Sequence, residues 1–213
     1  MTGPLRLSNG FGERGASIRD MSAAHLDAPA LAVTPLAYEH LLEARVHEQI
    51  DLVVIHCTEL PDLAAARTAG EQIRYPSGTG NSGHFYIDRD GSLHQYVGVG
   101  RIAHHVRGYN ERSVGIELVN LGRYPDWLAA DSQQMREPYS GGQIHALIDL
   151  LQWLQSTLPA LRFIEGHEQL DTTKVPADDD SSMQVNRKLD PGPMFPWDRV
   201  MQAVSLQRLA PHP

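Results

Sequence analysis

Three side chains that commonly bind metals occupy positions where the backbone is expected to hold them firmly. His56 follows the apolar residues 53–55, His167 follows the segment RFIEG, and Asp190 lies in NRKLDPGP, where proline and glycine restrict the turn. Two imidazoles and one carboxylate suit zinc, and three protein ligands leave the fourth position of the metal to water, as in catalytic sites. The residue types therefore suggest a catalytic metal site.

The spacing of these residues does not decide by itself whether they bind a metal. His56 and His167 lie more than a hundred residues apart and match no local metal motif such as HExxH. A histidine at the end of a strand can be an ordinary core residue, and an aspartate before proline often only forms a turn. Cys57 is a competing ligand, but successive side chains of a strand point to opposite faces, so we expect Cys57 in the core.

Short β-rich segments are the elements that must position these side chains. Residues 51–57 and the segment LRFIEGH predict strands that end in His56 and His167. HFYID and SLHQYV predict a hairpin that turns at Asp90 and Gly91, and SVGIELVN (113–120) predicts a further strand. Because helical segments are interspersed with these strands, the fold class is predicted to be α/β, a sheet with helices packed on its faces.

Four helical segments are expected. Thr34 and Pro35 suit the N-cap and first position of a helix through PLAYEHLLEARVHEQ, and PDLAAARTAGEQI predicts a second helix from Pro61. The last helix is expected to start near Pro196. The clearest helix is the third, whose apolar stripe ends before Pro159 and consists of Ile144, Leu147, Ile148, Leu151, Leu154 and Leu158.

The composition is that of one globular domain. The 213 residues suit a single core, and a formal charge of −8 without a basic stripe argues against binding to nucleic acid. No apolar run approaches the ~20 residues of a membrane span, and residues 1–20 lack the apolar centre of a secretory signal. With Cys57 as the only cysteine, no intrachain disulfide can form. We expect a cytoplasmic protein, or a periplasmic or released one if a leader precedes this sequence. Residues 1–33 are predicted as an irregular arm and 34–213 as the domain.

Six segments in a fixed order resemble the zinc-dependent N-acetylmuramoyl-L-alanine amidases. This family includes the bacterial cell-wall recycling amidases and is related to peptidoglycan-recognition proteins. The segments are VVIHCTE (53–59), NSGHFYIDRDGSLHQYV (81–97), RIAHHVRG (101–108), NERSVGIELVN (110–120), EGHEQLD (165–171) and RKLDPGP (187–193). The resemblance implies a single domain in which helices flank a mixed central sheet.

The resemblance also implies roles for individual residues. His56, His167 and Asp190 occupy the positions of the zinc ligands. Glu117 occupies the position of the catalytic acid and base, and Lys188 that of a residue that stabilises developing negative charge. A carboxylate among the apolar residues of VGIEL agrees with such a role, because a buried acid needs a partner or a function.

Two further positions are predicted to bind substrate. His105 corresponds to a histidine that lines the substrate cleft, and Asn110 to a nearby polar position that could also serve structure alone. This chain has His104 where a tryptophan is usual, so either His104 or His105 could contact the substrate.

The segment between His167 and Asp190 is longer than in compact relatives. Segments of this length without strong periodicity often cover a site. We therefore expect residues 170–175 to form a wall of the cleft and the acidic residues 178–180 to face solvent.

We predict a zinc amidohydrolase that cuts the amide between N-acetylmuramic (or 1,6-anhydro-N-acetylmuramic) acid and L-alanine in peptidoglycan or muropeptides. One alternative is a peptidoglycan-binding protein without catalysis, which would usually have lost a zinc ligand or the catalytic acid. Another is a lytic amidase that acts on intact cell wall. The expected partners are peptidoglycan fragments or muropeptides, and neither the oligomeric state nor the required stem-peptide length follows from the sequence.

Overall fold

The computed structural model describes Met1 and residues 27–209, so most of the predicted arm lies outside the described residues. The described α-helices are α1 (Leu63–Glu71), α2 (Gly141–Thr157), α3 (His167–Leu170) and α4 (Trp197–Ala203). The described strands are β1 (Leu31–Val33), β2 (Leu52–Cys57), β3 (Phe85–Ile87), β4 (Leu93–Gln95), β5 (Ser113–Leu118), β6 (Phe163–Gly166), β7 (Lys174–Pro176), β8 (Gln184–Asn186) and β9 (Gln207–Arg208). No helix in the described part of the chain is long and apolar enough to cross a membrane.

Seven of the strands form one mixed sheet in the order β1-β4-β3-β5-β2-β6-β9. The central strand β2 runs parallel to β5 and β6, whereas β3 and β4 form an antiparallel hairpin. The turn of that hairpin contains Asp90 and Gly91, as predicted, and Gly91 adopts a φ of 91° that favours glycine. The predicted α/β class, a single domain with a mixed central sheet flanked by helices, is confirmed.

Alternation along β2 separates a packed face from a functional face. All six residues of β2 are buried. Val53 and Ile55 lie in the main core, whereas Leu52 and Val54 face the opposite side of the sheet, where Leu52, Val54 and Val106 form a smaller cluster. Because side chains alternate along a strand, His56 shares the face of Val54. Cys57 is a buried free cysteine, as expected.

The amphipathic helix α2 covers the other face of the sheet. Ser140 Oγ accepts a hydrogen bond from Gln143 N at 3.0 Å, and Gln143 Oε1 accepts one from Ser140 N at 3.1 Å, which together cap its first turn. Each buried aliphatic side chain of the stripe contributes about 1.5–3 kcal/mol. The fully buried members of the predicted stripe are Ile144, Leu147, Leu151, Leu154 and Leu158, and Ile148 is partly buried.

The helix predicted over residues 35–49 is wrong. Only two short 3-10 turns form there, at Glu39–Leu41 and His47–Gln49. Between them the backbone pairs with a distant segment, because Arg45 N donates to Gly100 O at 2.9 Å and Ile102 N donates to Glu43 O at 2.8 Å. These long-range bonds replace the bonds within a helix.

Two other segments also gain order from pairing with other parts of the chain. Residues 31–33, predicted as part of the irregular arm, form strand β1 and pair in parallel with β4. The division of the chain at residue 34 otherwise stays a prediction. The segment between His167 and Asp190 contains an antiparallel hairpin of β7 and β8, which local sequence pattern did not indicate.

Candidate active site

Three neighbouring strands place a row of polar side chains on one face of the sheet. In the register of the parallel pairs, His56 of β2 lies beside Glu117 of β5, and Glu117 lies beside Tyr86 of β3. Residues paired in this way point to the same face of a sheet. The row lies near the carboxyl ends of β2 and β5, on the face opposite α2.

His167 and Asp190 approach this row from the adjoining elements. His167 is the first residue of α3, directly after β6, and the turn of Asp190 is held against it because Glu168 N donates to Asp190 O at 2.9 Å. Asp190 Oδ2 lies 2.9 Å from His56 Nδ1 and 3.1 Å from His167 Nδ1. All three residues are buried, and one ligand atom from each lies within 4.8 Å of the others.

This geometry fits a metal ion. In a tetrahedral site with bonds of about 2.0–2.1 Å, neighbouring ligand atoms are separated by about 3.3 Å, close to the two measured distances. Asp190 Oδ1 is buried and has no hydrogen-bond partner among residues 27–209. Together these features indicate that His56, His167 and Asp190 could hold a divalent cation. These three residues are called the ligand group below.

The protonation states of His56 and Asp190 also suit a metal. Burial lowers the pKa of His56 to about 4, so this imidazole is neutral. Burial alone would raise the pKa of Asp190, but the neighbouring His167 and His56, together with Lys188, hold it well below its usual range. Neutral imidazoles and an ionised carboxylate are the forms that ligate divalent metals.

Glu117 lies beside the ligand group without belonging to it. Its side chain is partly buried. A Cβ atom on Gly83 would lie 2.8 Å from Glu117 Cγ, so a larger residue at position 83 would displace the Glu117 side chain. Burial raises the pKa of Glu117 well above its ordinary value, the charge of Asp190 adds to this rise, and Lys188 opposes it. Lys188 lines the same cleft, two residues before Asp190.

The predicted substrate-binding residues occupy the loop before β5. The His105 ring lies over Gly115, where a Cβ atom would approach it to 2.7 Å, and His105 Nδ1 lies 3.0 Å from His56 Nε2. Asn110 Oδ1 accepts hydrogen bonds from the backbone N–H groups of His105 at 3.0 Å and Val106 at 2.8 Å, and so fixes the loop. Both residues line the cleft, as does His104, and their contacts with substrate stay predictions.

The cleft around these groups has a volume of about 690 Å³, within the ordinary range for ligand sites. Tyr75 and Trp127 supply aromatic surface, and the exposed Arg74 and Arg107 supply positive charge. The cleft is therefore amphipathic, and the exposed charged residues that line it are both arginines, in a protein whose formal charge is −8.

The expectation that residues 170–175 form a cleft wall is wrong, because no described residue of the segment 168–186 lines the cleft. The β7–β8 hairpin packs against the loop after β5 instead. Asp178 N donates to Leu128 O at 3.1 Å, and Asp179 Oδ1 accepts from Ala130 N at 2.7 Å. The acidic residues 178–180 are exposed, as expected.

A buried ion pair, which sequence reasoning missed, supports the segment that carries Lys188. Glu59 and Arg123 are 8% and 1% exposed, and the guanidinium bonds both carboxylate oxygens at 2.7 and 2.9 Å. Arg123 Nη1 also donates to Asn186 O at 2.9 Å, at the end of β8. Because 64 residues separate the two partners, no local motif signals the pair.

We expect Arg123→Met to lower the free energy of unfolding by about 3 kcal/mol, because it leaves the Glu59 carboxylate buried without its partner. Arg199→Met is the matched control, since Arg199 is exposed on α4, and its loss is expected to cost less than about 1 kcal/mol. Urea unfolding of both variants measures the difference. Equal losses in the two variants would contradict a supporting role for the buried pair.

A family model and several solved structures are similar to this chain. A family model described as N-acetylmuramoyl-L-alanine amidase matches residues 46–193. No curated protein matches the chain. Among solved structures, the N-acetylmuramoyl-L-alanine amidase LysC from Clostridium intestinale is 18% identical with a TM-score of 0.57, over 84% of this chain and 100% of that one.

Two other solved structures have the same fold. AmpDH3 from Pseudomonas aeruginosa, in complex with an anhydromuramic pentapeptide, is 23% identical with a TM-score of 0.56, over 76% of this chain and 61% of its own. The Drosophila peptidoglycan recognition protein SA is 18% identical with a TM-score of 0.56, over 87% of this chain and 97% of its own.

Proposed function

Because the chain belongs to the N-acetylmuramoyl-L-alanine amidase family, we propose that it is a zinc hydrolase of muropeptides. The bond cut is the amide between the lactyl carbonyl of N-acetylmuramic (or 1,6-anhydro-N-acetylmuramic) acid and the nitrogen of L-alanine. Water adds to the carbonyl carbon, the carbon–nitrogen bond breaks, and the products are a free lactyl carboxylate and a free peptide amine.

The observation that carries the proposal is the position of Glu117 beside a preformed ligand group. In the sheet register Glu117 is the direct neighbour of His56, whose Nδ1 lies 2.9 Å from Asp190 Oδ2. A peptidoglycan-binding protein without catalysis would need neither an acid at this position nor a complete set of three ligands. The arrangement therefore favours hydrolysis over binding alone.

His56, His167 and Asp190 are the residues that would hold Zn²⁺. When bound there, the ion would supply a Lewis acid and bring the pKa of a water molecule towards neutrality. The three side chains would hold the ion firmly because each is buried and each is carried by the sheet, by the start of α3 or by a turn packed against it.

Glu117 and Lys188 would perform the proton and charge chemistry. Glu117 accepts a proton from the attacking water and returns it to the amide nitrogen as the peptide leaves, a cycle to which a raised carboxyl pKa is suited. Lys188, which lines the same cleft, would stabilise negative charge on the lactyl oxygen. Because this proton ends on the nitrogen of the leaving peptide, Glu117 is again a carboxylate and can act in another cycle.

The walls of the cleft suit a muropeptide. Its stem peptide carries carboxylates, which the exposed Arg74 and Arg107 would attract. Trp127, whose Nε1 donates to Glu59 O at 2.9 Å, is fixed at the rim and offers a flat apolar face to a sugar ring.

The test is to incubate zinc-loaded protein with intact sacculi and with soluble anhydro-muropeptides, and to identify the products by mass. We expect a free muramic or anhydromuramic product and a free stem peptide that begins with L-alanine. Protein treated with a chelator is the control and should give no product until zinc is restored. Release from sacculi would indicate a lytic amidase, whereas binding without cleavage of either substrate would contradict the proposal and favour a recognition protein.

A further inference from the structure

His56 is joined to β5 by a chain of hydrogen bonds that leads away from the ligand group. Ser113 Oγ donates to Tyr109 O at 2.7 Å. The same Ser113 oxygen lies 3.2 Å from His105 Nε2, and His105 Nδ1 lies 3.0 Å from His56 Nε2. The other nitrogen of His56, Nδ1, faces Asp190 Oδ2 at 2.9 Å.

The direction of every hydrogen bond in this series follows from the bond between Ser113 and Tyr109. A carbonyl oxygen only accepts, so the single hydroxyl proton of Ser113 is committed to Tyr109 O, and Ser113 Oγ can only accept from His105. His105 Nε2 therefore carries the proton of a neutral ring, and His105 Nδ1 is an acceptor. The proton between the two histidines then belongs to His56 Nε2, which leaves the His56 Nδ1 lone pair directed at the ligand group.

We propose that His105 is a positioning residue that, with Ser113, holds His56 in the tautomer able to bind the metal through Nδ1. Gly115 makes this contact possible, because a Cβ atom there would approach His105 Cγ and Nδ1 to 2.7 Å. Ser113 and Gly115 lie on the same face of β5 as Glu117, so a single strand supports both the metal ligand and the acid.

The fixed tautomer also determines the character of the short contact between His56 and Asp190. With the proton on Nε2, His56 Nδ1 and Asp190 Oδ2 are both acceptors, and two acceptors at 2.9 Å repel each other unless a cation lies between them. The hydrogen bond with His105 supports only one of the two histidine ligands. His167 Nε2 is buried and has no hydrogen-bond partner within residues 27–209, so His105 acts on His56 alone.

The inference rests on the proposed zinc site, and its test measures metal binding rather than turnover. Zinc affinity is measured by competition with a chromophoric chelator for the parent protein, His105→Leu and His105→Asn. The two substituted side chains have nearly the same shape, but Asn keeps an acceptor oxygen close to the position of Nδ1. We expect His105→Leu to weaken zinc binding by about 10–100-fold and His105→Asn to recover most of that loss. His145→Leu, on the exposed face of α2, is the control for removing a histidine and should bind zinc like the parent.

A spectroscopic measurement keeps the inference testable if a His105 variant folds poorly. In ¹⁵N-histidine NMR of the zinc-loaded parent protein, His56 should carry its proton on Nε2, and His105 should carry its proton on Nε2 with an unprotonated Nδ1. Ser113→Ala should add signals of the other His105 tautomer. A proton on His105 Nδ1 in the parent, or equal zinc affinity in the parent and a folded His105→Leu variant, would overturn the inference and leave the proposed function intact. A parent protein that binds no zinc would overturn both.

Discussion

Glu117→Gln is expected to lower kcat on a small muropeptide by about 10²–10⁴-fold, the usual effect of losing a general base. The amide has the shape of the carboxylate but cannot take a proton from water. Since Glu117 lies outside the ligand group of His56, His167 and Asp190, the fold and the zinc content should stay those of the parent. The measurements are steady-state kinetics, metal analysis and the unfolding curve.

The matched control is Glu111→Gln, an exposed glutamate just before β5, which should leave kcat unchanged. Substrate affinity separates catalysis from binding, because Glu117→Gln should retain affinity while turnover falls. Cleavage at the parent rate by Glu117→Gln would show that another group activates the water. The proposed mechanism would then be wrong even if the protein is an amidase.

Replacing any one of His56, His167 and Asp190 by alanine is expected to abolish stoichiometric zinc binding and activity together. Three ligands leave no redundancy, and each substitution opens a gap in a buried site. A ligand that binds only the folded state stabilises it by about 2.7 kcal/mol at a concentration of 100 Kd. Zinc should therefore raise the Tm of the parent protein and leave the Tm of each variant unchanged.

Metal analysis and thermal unfolding with and without zinc provide the two measurements. His145→Ala is the control, because His145 is exposed on α2 and lies outside the ligand group. A variant that still binds one full equivalent of zinc would remove its residue from the proposed site. Retention by Asp190→Ala alone would leave a two-histidine site and require another third ligand.

The local sequence determined the elements whose side chains follow one simple period. The stripe of α2 repeats as one helical face, and its residues pack on the sheet. The apolar residues before His56 predicted β2, and the turn at Asp90 and Gly91 predicted the β3–β4 hairpin. These signals are readable because each depends on residues within one turn or one strand, where spacing alone decides which side chains share a face.

Ordered motifs also identified the residues that the structure brings together. Nothing in the spacing of His56, His167 and Asp190 decided between ligands and ordinary strand-end or turn residues, but the motifs around them did suggest a common site. The structure brings the three ligand atoms within 4.8 Å of one another, and the sheet register adds Glu117 as the neighbour of His56.

Only the tertiary structure decided which distant groups meet. Residues 35–49 have a helical pattern, yet their backbone pairs with residues 100–102, and a residue's own neighbours cannot report such a partner. The pairing of Glu59 with Arg123 and the contact of His105 with His56 likewise join segments that lie far apart in the chain. The physical reason is that hydrogen bonds and ion pairs depend on distance and direction in space, which chain topology sets and local periodicity does not encode.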